Sequence, residues 1–169
     1  SLGSRHDLAK LHYDLGRRYH DASFLRSLST LGEREAVSLY GELLLKVQSH
    51  YVTEPHWQQV VQRGTAALEV ALLEDTFAKR NLGEKPEAER TAFRKQLVQT
   101  LALRPIRSRQ DAVDAVAAAG RFGKQKLNLS STAVVLEYVA GAAGALDEYS
   151  AFLTGDQLND VYSQIEGNF

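Results

Sequence analysis

Apolar residues return every three or four positions along most of this chain, and that period dictates a helical fold. The clearest case spans residues 33–51, where Val37, Tyr40, Leu44, Val47 and Tyr51 step three, four, three and four positions apart. Such spacing stacks side chains on one face of a helix with about 3.6 residues per turn, whereas a strand would scatter them over both faces. No segment alternates cleanly at period two. No Asn-Gly or Asp-Gly pair sits between apolar runs as a tight hairpin would require. The expected fold class is all-α.

The same period, with caps and breakers, divides the chain into about six to seven helices in an irregular antiparallel bundle. Leu8, Leu11, Leu15 and Tyr19 mark a first helix, capped by Ser4 and ending near His20, and Phe24 and Leu28 a short turn after it. The 33–51 seam follows. Thr53-Glu54-Pro55 then reads as a new N-terminus, with Thr53 as cap and Pro55 in the first turn. The next helix carries Trp57, Val60, Val61, Gly64, Leu68, Ala71 and Leu72 and runs to a stop at Asn81-Leu82-Gly83. Gly64 and Ala71 would let a partner helix approach closely. Residues 84–90 are charged and read as exposed. Phe93, Leu97 and Leu101 form the stripe of a fourth helix that ends before Arg104-Pro105. Ser108 caps a fifth, with Val113, Val116 and Phe122 inward and its end loosened by Gly120 and Gly123. Ser130 or Ser131 caps a sixth, which holds Val135, Tyr138, Val139 and a small-residue run over 140–145. Thr154 caps a last helix with Leu158, Val161 and Ile165.

Composition excludes several functional classes. The 20 Lys and Arg against 21 Asp and Glu leave a net charge of −1, so no overall field draws the chain to nucleic acid or an acidic membrane. Arg104, Arg107 and Arg109 cluster around Pro105 without stacking aromatics and read as a solvated connection. No Cys is present, which removes disulfides, thiolate nucleophiles and Cys-ligated metals. No apolar run approaches the roughly 18 residues of a membrane span. The length of 169 residues suits one domain. With Ser1-Leu2-Gly3-Ser4 at the start and no Met anywhere, the expectation is a processed or excised piece of a longer protein.

Local chemistry is sparse. His6, His12, His20, His50 and His56 do not fall at the i, i+4 or i, i+3 spacing of a helical metal site. Asp156, Asn159 and Asp160 lack the alternating ligands and central Gly of a calcium loop, and Asp156 suits a helix's first turn on dipole grounds alone. No serine lies in a Gly-x-Ser-x-Gly or Ser-x-x-Lys pattern, and Gly120-Arg121-Phe122-Gly123-Lys124 lacks phosphate-loop spacing. No cofactor and no metal are expected.

One stretch is more specific. Gly144-Ala145-Leu146-Asp147-Glu148-Tyr149-Ser150-Ala151-Phe152-Leu153-Thr154 resembles the Leu-Asp-Pro-(His/Tyr)-Ser-x-(Tyr/Phe)-Leu segment of carboxyl-terminal processing (tail-specific) serine peptidases. In that family the segment closes an N-terminal helical region. A helix follows, and a glycine-rich stretch then opens into a PDZ domain. Residues 157–166 fit that helix, and Gly167-Asn168-Phe169 is similar to the start of the glycine stretch. Upstream, Tyr51-Val52 ahead of Trp57 resembles the family's helix, Tyr-Val, turn, helix opening. Glu148 departs from the usual Pro.

The resemblance implies a single helical N-terminal domain over residues 1–169, with 82–128 as an insertion and 144–169 as the junction toward a PDZ domain. Leu146, Asp147, Tyr149, Ser150, Phe152 and Leu153 are its motif and junction residues. Leu146, Phe152 and Leu153 are expected to anchor the turn through apolar contacts, with Asp147 able to cap it. The family's serine nucleophile and lysine base lie beyond the PDZ domain and match no residue here. The implied role is non-catalytic: scaffolding, dimerising or gating the protease core. The implied partners are the parent's own PDZ and protease domains and a second copy, with no nucleic acid and no membrane insertion, in a periplasmic or otherwise exported setting. The rival readings are a free-standing helical protein-interaction domain and a small helical enzyme built on His and carboxylates.

Overall fold

The computed structural model describes residues 5–49 and 53–148. Among the described residues the fold is eight helices with no strand: α1 (Arg5–Arg18), α2 (Ala22–Thr30), α3 (Glu33–Ser49), α4 (Trp57–Leu73), α5 (Asp75–Asn81), α6 (Glu87–Ala102), α7 (Arg109–Leu127) and α8 (Ser131–Glu148). The all-α expectation holds. The count of about six to seven helices is slightly low, and the irregular antiparallel bundle is slightly off. The last helix expected after Thr154 lies outside the described residues, as does the Ser4 cap.

The arrangement is a central helix in a helical sheath. Every residue from Thr132 to Val139 is buried, so α8 is enclosed on all sides rather than amphipathic. α3, α4 and α7 pack around it and α2 touches it. α6 lies against α4 and α7, while α1 and α5 lie against α4. The seam of α3 faces inward, with Tyr40, Leu44 and Val47 buried and Val37 half-buried against the core. Residues 82–128 supply α6 and α7, whose Phe93, Leu97, Ala112, Ala115 and Val116 belong to the same core as α3, α4 and α8.

Two glycines set the tightest crossing. A Cβ on Gly64 would collide with the Tyr138 ring and lie 2.9 Å from the Tyr138 Cα, and one on Gly141 would lie 2.7 Å from the Gly64 Cα. Only glycines let α4 and α8 meet backbone to backbone here. Gly123 acts more mildly between α7 and α8, where an added Cβ would come 3.1 Å from a Val134 methyl, whereas one on Gly120 would meet only ordinary contacts from 3.4 Å outward. They do not loosen the end of α7, which continues to Leu127 and stops at Asn128, in the left-handed region at φ 53°. The Leu129 amide donates to the Gly123 carbonyl there at 3.1 Å, closing the helix end.

The helix starts follow partly from sequence. The Ser108 hydroxyl accepts from the Asp111 amide at 3.0 Å while the Asp111 carboxylate accepts from the Arg107 amide at 2.9 Å, a reciprocal cap. Ser130 caps α8 by accepting from the Ala133 amide. Thr53 caps nothing: α4 begins at Trp57, with Pro55 outside it. Glu54 instead accepts the Trp57 indole N–H at 3.0 Å, because a buried indole donor must find a partner.

The break between α4 and α5 was not expected. Glu74 adopts an extended conformation and ends one helix as it begins the next. The Leu72 carbonyl near that break accepts from Arg90 Nη1 at 2.8 Å. Arg90, expected to be exposed, is buried for this reason. A guanidinium from α6 meets a carbonyl near the end of α4 and favours the break where local propensity gives no stop.

Candidate functional site

Leu146 and Asp147 lie in the last turn of α8, which ends at Glu148, so the motif begins where the central helix stops. Their side chains, and Tyr149, Ser150, Phe152 and Leu153 altogether, lie outside the described residues. The polar features that can be built atom by atom lie along α8 and α4 instead.

The first is an ion pair inside the core. Glu137 is 0% exposed on α8, and its Oε1 accepts from Arg18 Nη2 of α1 at 2.5 Å. Burial pushes the Glu137 carboxyl above the ordinary range, and the Arg18 charge and hydrogen bond pull it back. Tyr19 neighbours this pair. Its hydroxyl accepts from Asn81 Nδ2 at 2.9 Å, and its ring meets Phe24 and Phe77 edge-on at 5.2 and 5.7 Å. Burial, and then the Glu137 charge, raise its pKa. Arg18 also lies 5.9 Å from the Phe24 ring centroid. The C-terminal end of α1 is thus tied to α2, α5 and α8. Glu137 is sealed from solvent and cannot reach a substrate, so its work is structural.

The second feature lies across the α4–α8 crossing. Thr65 and Tyr138 share a hydrogen bond of 2.8 Å, and burial raises the Tyr138 pKa. One turn along α4 from Thr65, Glu69 is 8% exposed, and burial raises its carboxyl above the ordinary range. Its carboxylate lies 3.8 Å from Arg94 Nε of α6. Glu69 and Thr65 line a cleft of about 260 Å³ between α4 and α6.

The residues singled out from sequence disperse. His12 pairs with Glu74, His20 lies 2.7 Å from the Gly16 carbonyl, and His56 borders α4. Among the described residues no group of three or more His, Asp or Glu is placed to hold a metal ion. Ser27, Ser29 and Ser49 donate to carbonyls of their own helices, and Ser131 donates to the Gly120 carbonyl at 3.0 Å. These hydroxyls are committed to backbone acceptors rather than to a general base. Among the described residues no helix is long and apolar enough to cross a membrane.

Sequence reasoning missed Arg18, Glu69, Arg90 and Glu137. Glu137 carried a signal: it is the one charge in the run from Ala133 to Val139, where helix periodicity leaves no polar face for it. The chain matches no family model, no curated protein and no solved structure.

Proposed function

We propose that this chain is the non-catalytic N-terminal helical module of a carboxyl-terminal processing serine peptidase, scaffolding or gating a protease core that lies beyond it. The observation that carries the reading is the Leu146-Asp147-Glu148-Tyr149-Ser150-Ala151-Phe152-Leu153 segment, with a helix-forming stretch and Gly167-Asn168-Phe169 in the family's order after it. The position of Leu146 and Asp147 at the C-terminal end of α8 supports it, because the family's segment closes a helical region. The committed serine hydroxyls are compatible with a non-catalytic role. The parent would be exported, and self-association would run through this module.

The test is a split experiment. The 1–169 chain alone should leave a reporter with an unstructured C-terminal tail intact, while the parent cleaves it. Added in trans, the 1–169 chain should bind the parent's protease region and restore cleavage that deletion of residues 1–169 had weakened. Cleavage by the isolated chain, or no binding and no effect of the deletion, rejects the proposal and favours a free-standing interaction domain.

A further inference from the structure

Positive charge is unevenly spread over this nearly neutral chain. Residues 90–136 hold nine Lys and Arg against two Asp and no Glu. The two acids, Asp111 and Asp114, stand in the first turns of α7, away from its basic C-terminal half. That half and the end of α6 enclose a cleft of about 220 Å³. Its floor is apolar: Leu97, Leu101 and Ala119 are buried, and Ala118 and Phe122 are half-buried. Arg104 and Arg121 stand exposed on its rim, and neither forms an ion pair among the described residues. Lys124 and Lys126 in the last turn of α7 suit the helix dipole. The dipole does not explain two unpaired guanidinia over one apolar hollow.

We propose that this cleft docks an acidic peptide segment, with an aliphatic side chain on Leu97, Leu101 and Ala119 and the flanking carboxylates on Arg104 and Arg121. A guanidinium presents paired N–H groups that match both oxygens of a carboxylate. The local excess of positive charge steers such a segment to this face. Size agrees. The four heavy atoms of a leucine side chain, at roughly the 30 Å³ that one water occupies in the liquid, need about 120 Å³, and the cleft offers about 220 Å³. A nucleic acid fits less well. Bases stack on open aromatic faces, whereas the Phe122 ring stacks on Phe93 at 5.2 Å and has Lys126 Nζ 5.9 Å from its centroid. An anionic bilayer fits less well too. The apolar surface lies at the bottom of a cleft, and among the described residues Leu103 is the one large apolar side chain exposed between positions 90 and 136. This docking stands whether or not the chain belongs to a peptidase.

Amide-resolved NMR titrations of the 1–169 chain test it, using an Asp-Glu-Leu-Glu-Asp peptide blocked at both ends and its Asn-Gln-Leu-Gln-Asn and Asp-Glu-Ser-Glu-Asp counterparts. The acidic leucine peptide should give saturable shifts centred on Thr100, Ala118, Arg121 and Gln125, with each counterpart at least about tenfold weaker. Arg104→Gln with Arg121→Gln should weaken it by a similar factor while the spectrum keeps its dispersion, since both side chains are exposed. Arg17→Gln with Arg34→Gln removes the same charge from exposed positions that do not line the cleft and should leave binding unchanged. Ala118→Phe fills the hollow with both guanidinia in place and should cancel the preference for Leu over Ser, which keeps the proposal testable if the arginine pair proves necessary for folding. Equal binding of the neutral peptide, equal loss in the two arginine pairs, shifts centred elsewhere, or no saturation would overturn the proposal. Tighter binding of single-stranded oligothymidine, or co-sedimentation with phosphatidylserine vesicles that the acidic peptide does not displace, would overturn the peptide as occupant.

Discussion

Replacing Arg18 with Ala should damage this fold far more than its place near the end of the first helix suggests. The Arg18 side chain is 18% exposed and Glu137 is 0% exposed, so the pair is not a surface ion pair. Exposed pairs contribute about 0–1 kcal/mol. Removing one partner of a buried pair costs about 3–5 kcal/mol, because it strands the other charge. The second Glu137 oxygen already lacks a hydrogen-bond partner among the described residues, so nothing adjacent can take over from Arg18. A loss of that size lowers Tm by roughly 6–20 °C in a chain of this length. The pH dependence separates a stranded charge from lost packing. Burial raises the folded-state pKa of Glu137 above its unfolded value, so the folded state binds this proton more tightly. The charged carboxylate therefore opposes folding above the folded pKa, and the opposition fades as pH falls through it. Arg18→Ala removes the group that pulls this pKa down, which widens the shift. Its deficit should be largest near neutral pH and shrink on acidification toward the ordinary glutamate range. Urea titrations of both proteins across that window, followed by helical circular dichroism, measure it. Replacing both residues with Leu should recover much of the loss. An Arg18→Ala cost below about 1 kcal/mol, or one independent of pH, refutes the reasoning.

Two glycines of the same residue type should respond in opposite directions. Gly64→Ala should destabilise by about 1–3 kcal/mol through overpacking against Tyr138, more than the roughly 1 kcal/mol of helix propensity it gains. Gly16→Ala meets nothing within 4 Å and should stabilise by about 0.4–1 kcal/mol. Chemical denaturation reads both, and equal signs would contradict the crossing. Arg90→Met should cost about 1–3 kcal/mol by leaving the Leu72 carbonyl unsatisfied. Hydrogen exchange should then show faster opening at the α4–α5 corner, and unchanged exchange there would remove Arg90 from the account of the break.

What was legible in the sequence was whatever a single helix decides for itself. The α3 seam, the Ser108 and Ser130 caps and the stop near Asn81 are local, and the structure has them. Gly64 on α4 announced close approach, and it does meet α8, at Gly141. What failed was non-local. Arg90 favours a helix break 16 positions before it, and neither Pro nor Gly marks Glu74. The helix start expected at Thr53 moved to Trp57, whose buried indole donor takes Glu54 as its partner. Arg17 and Arg18 look like ordinary cations at a helix C-terminus, and only the tertiary fold brings Arg18 to Glu137. The Glu69 cleft joins two helices whose contact no periodicity reveals.

The central claim concerns what this helical domain serves, and the residues encoded directly after Phe169 in the parent test it most directly. The account expects Gly167-Asn168-Phe169 to continue into further glycines, then a PDZ-like strand pattern, then a domain carrying a serine nucleophile and a lysine base. A stop at that point, or continuation into a domain with neither the PDZ pattern nor the serine-lysine pair, would contradict it.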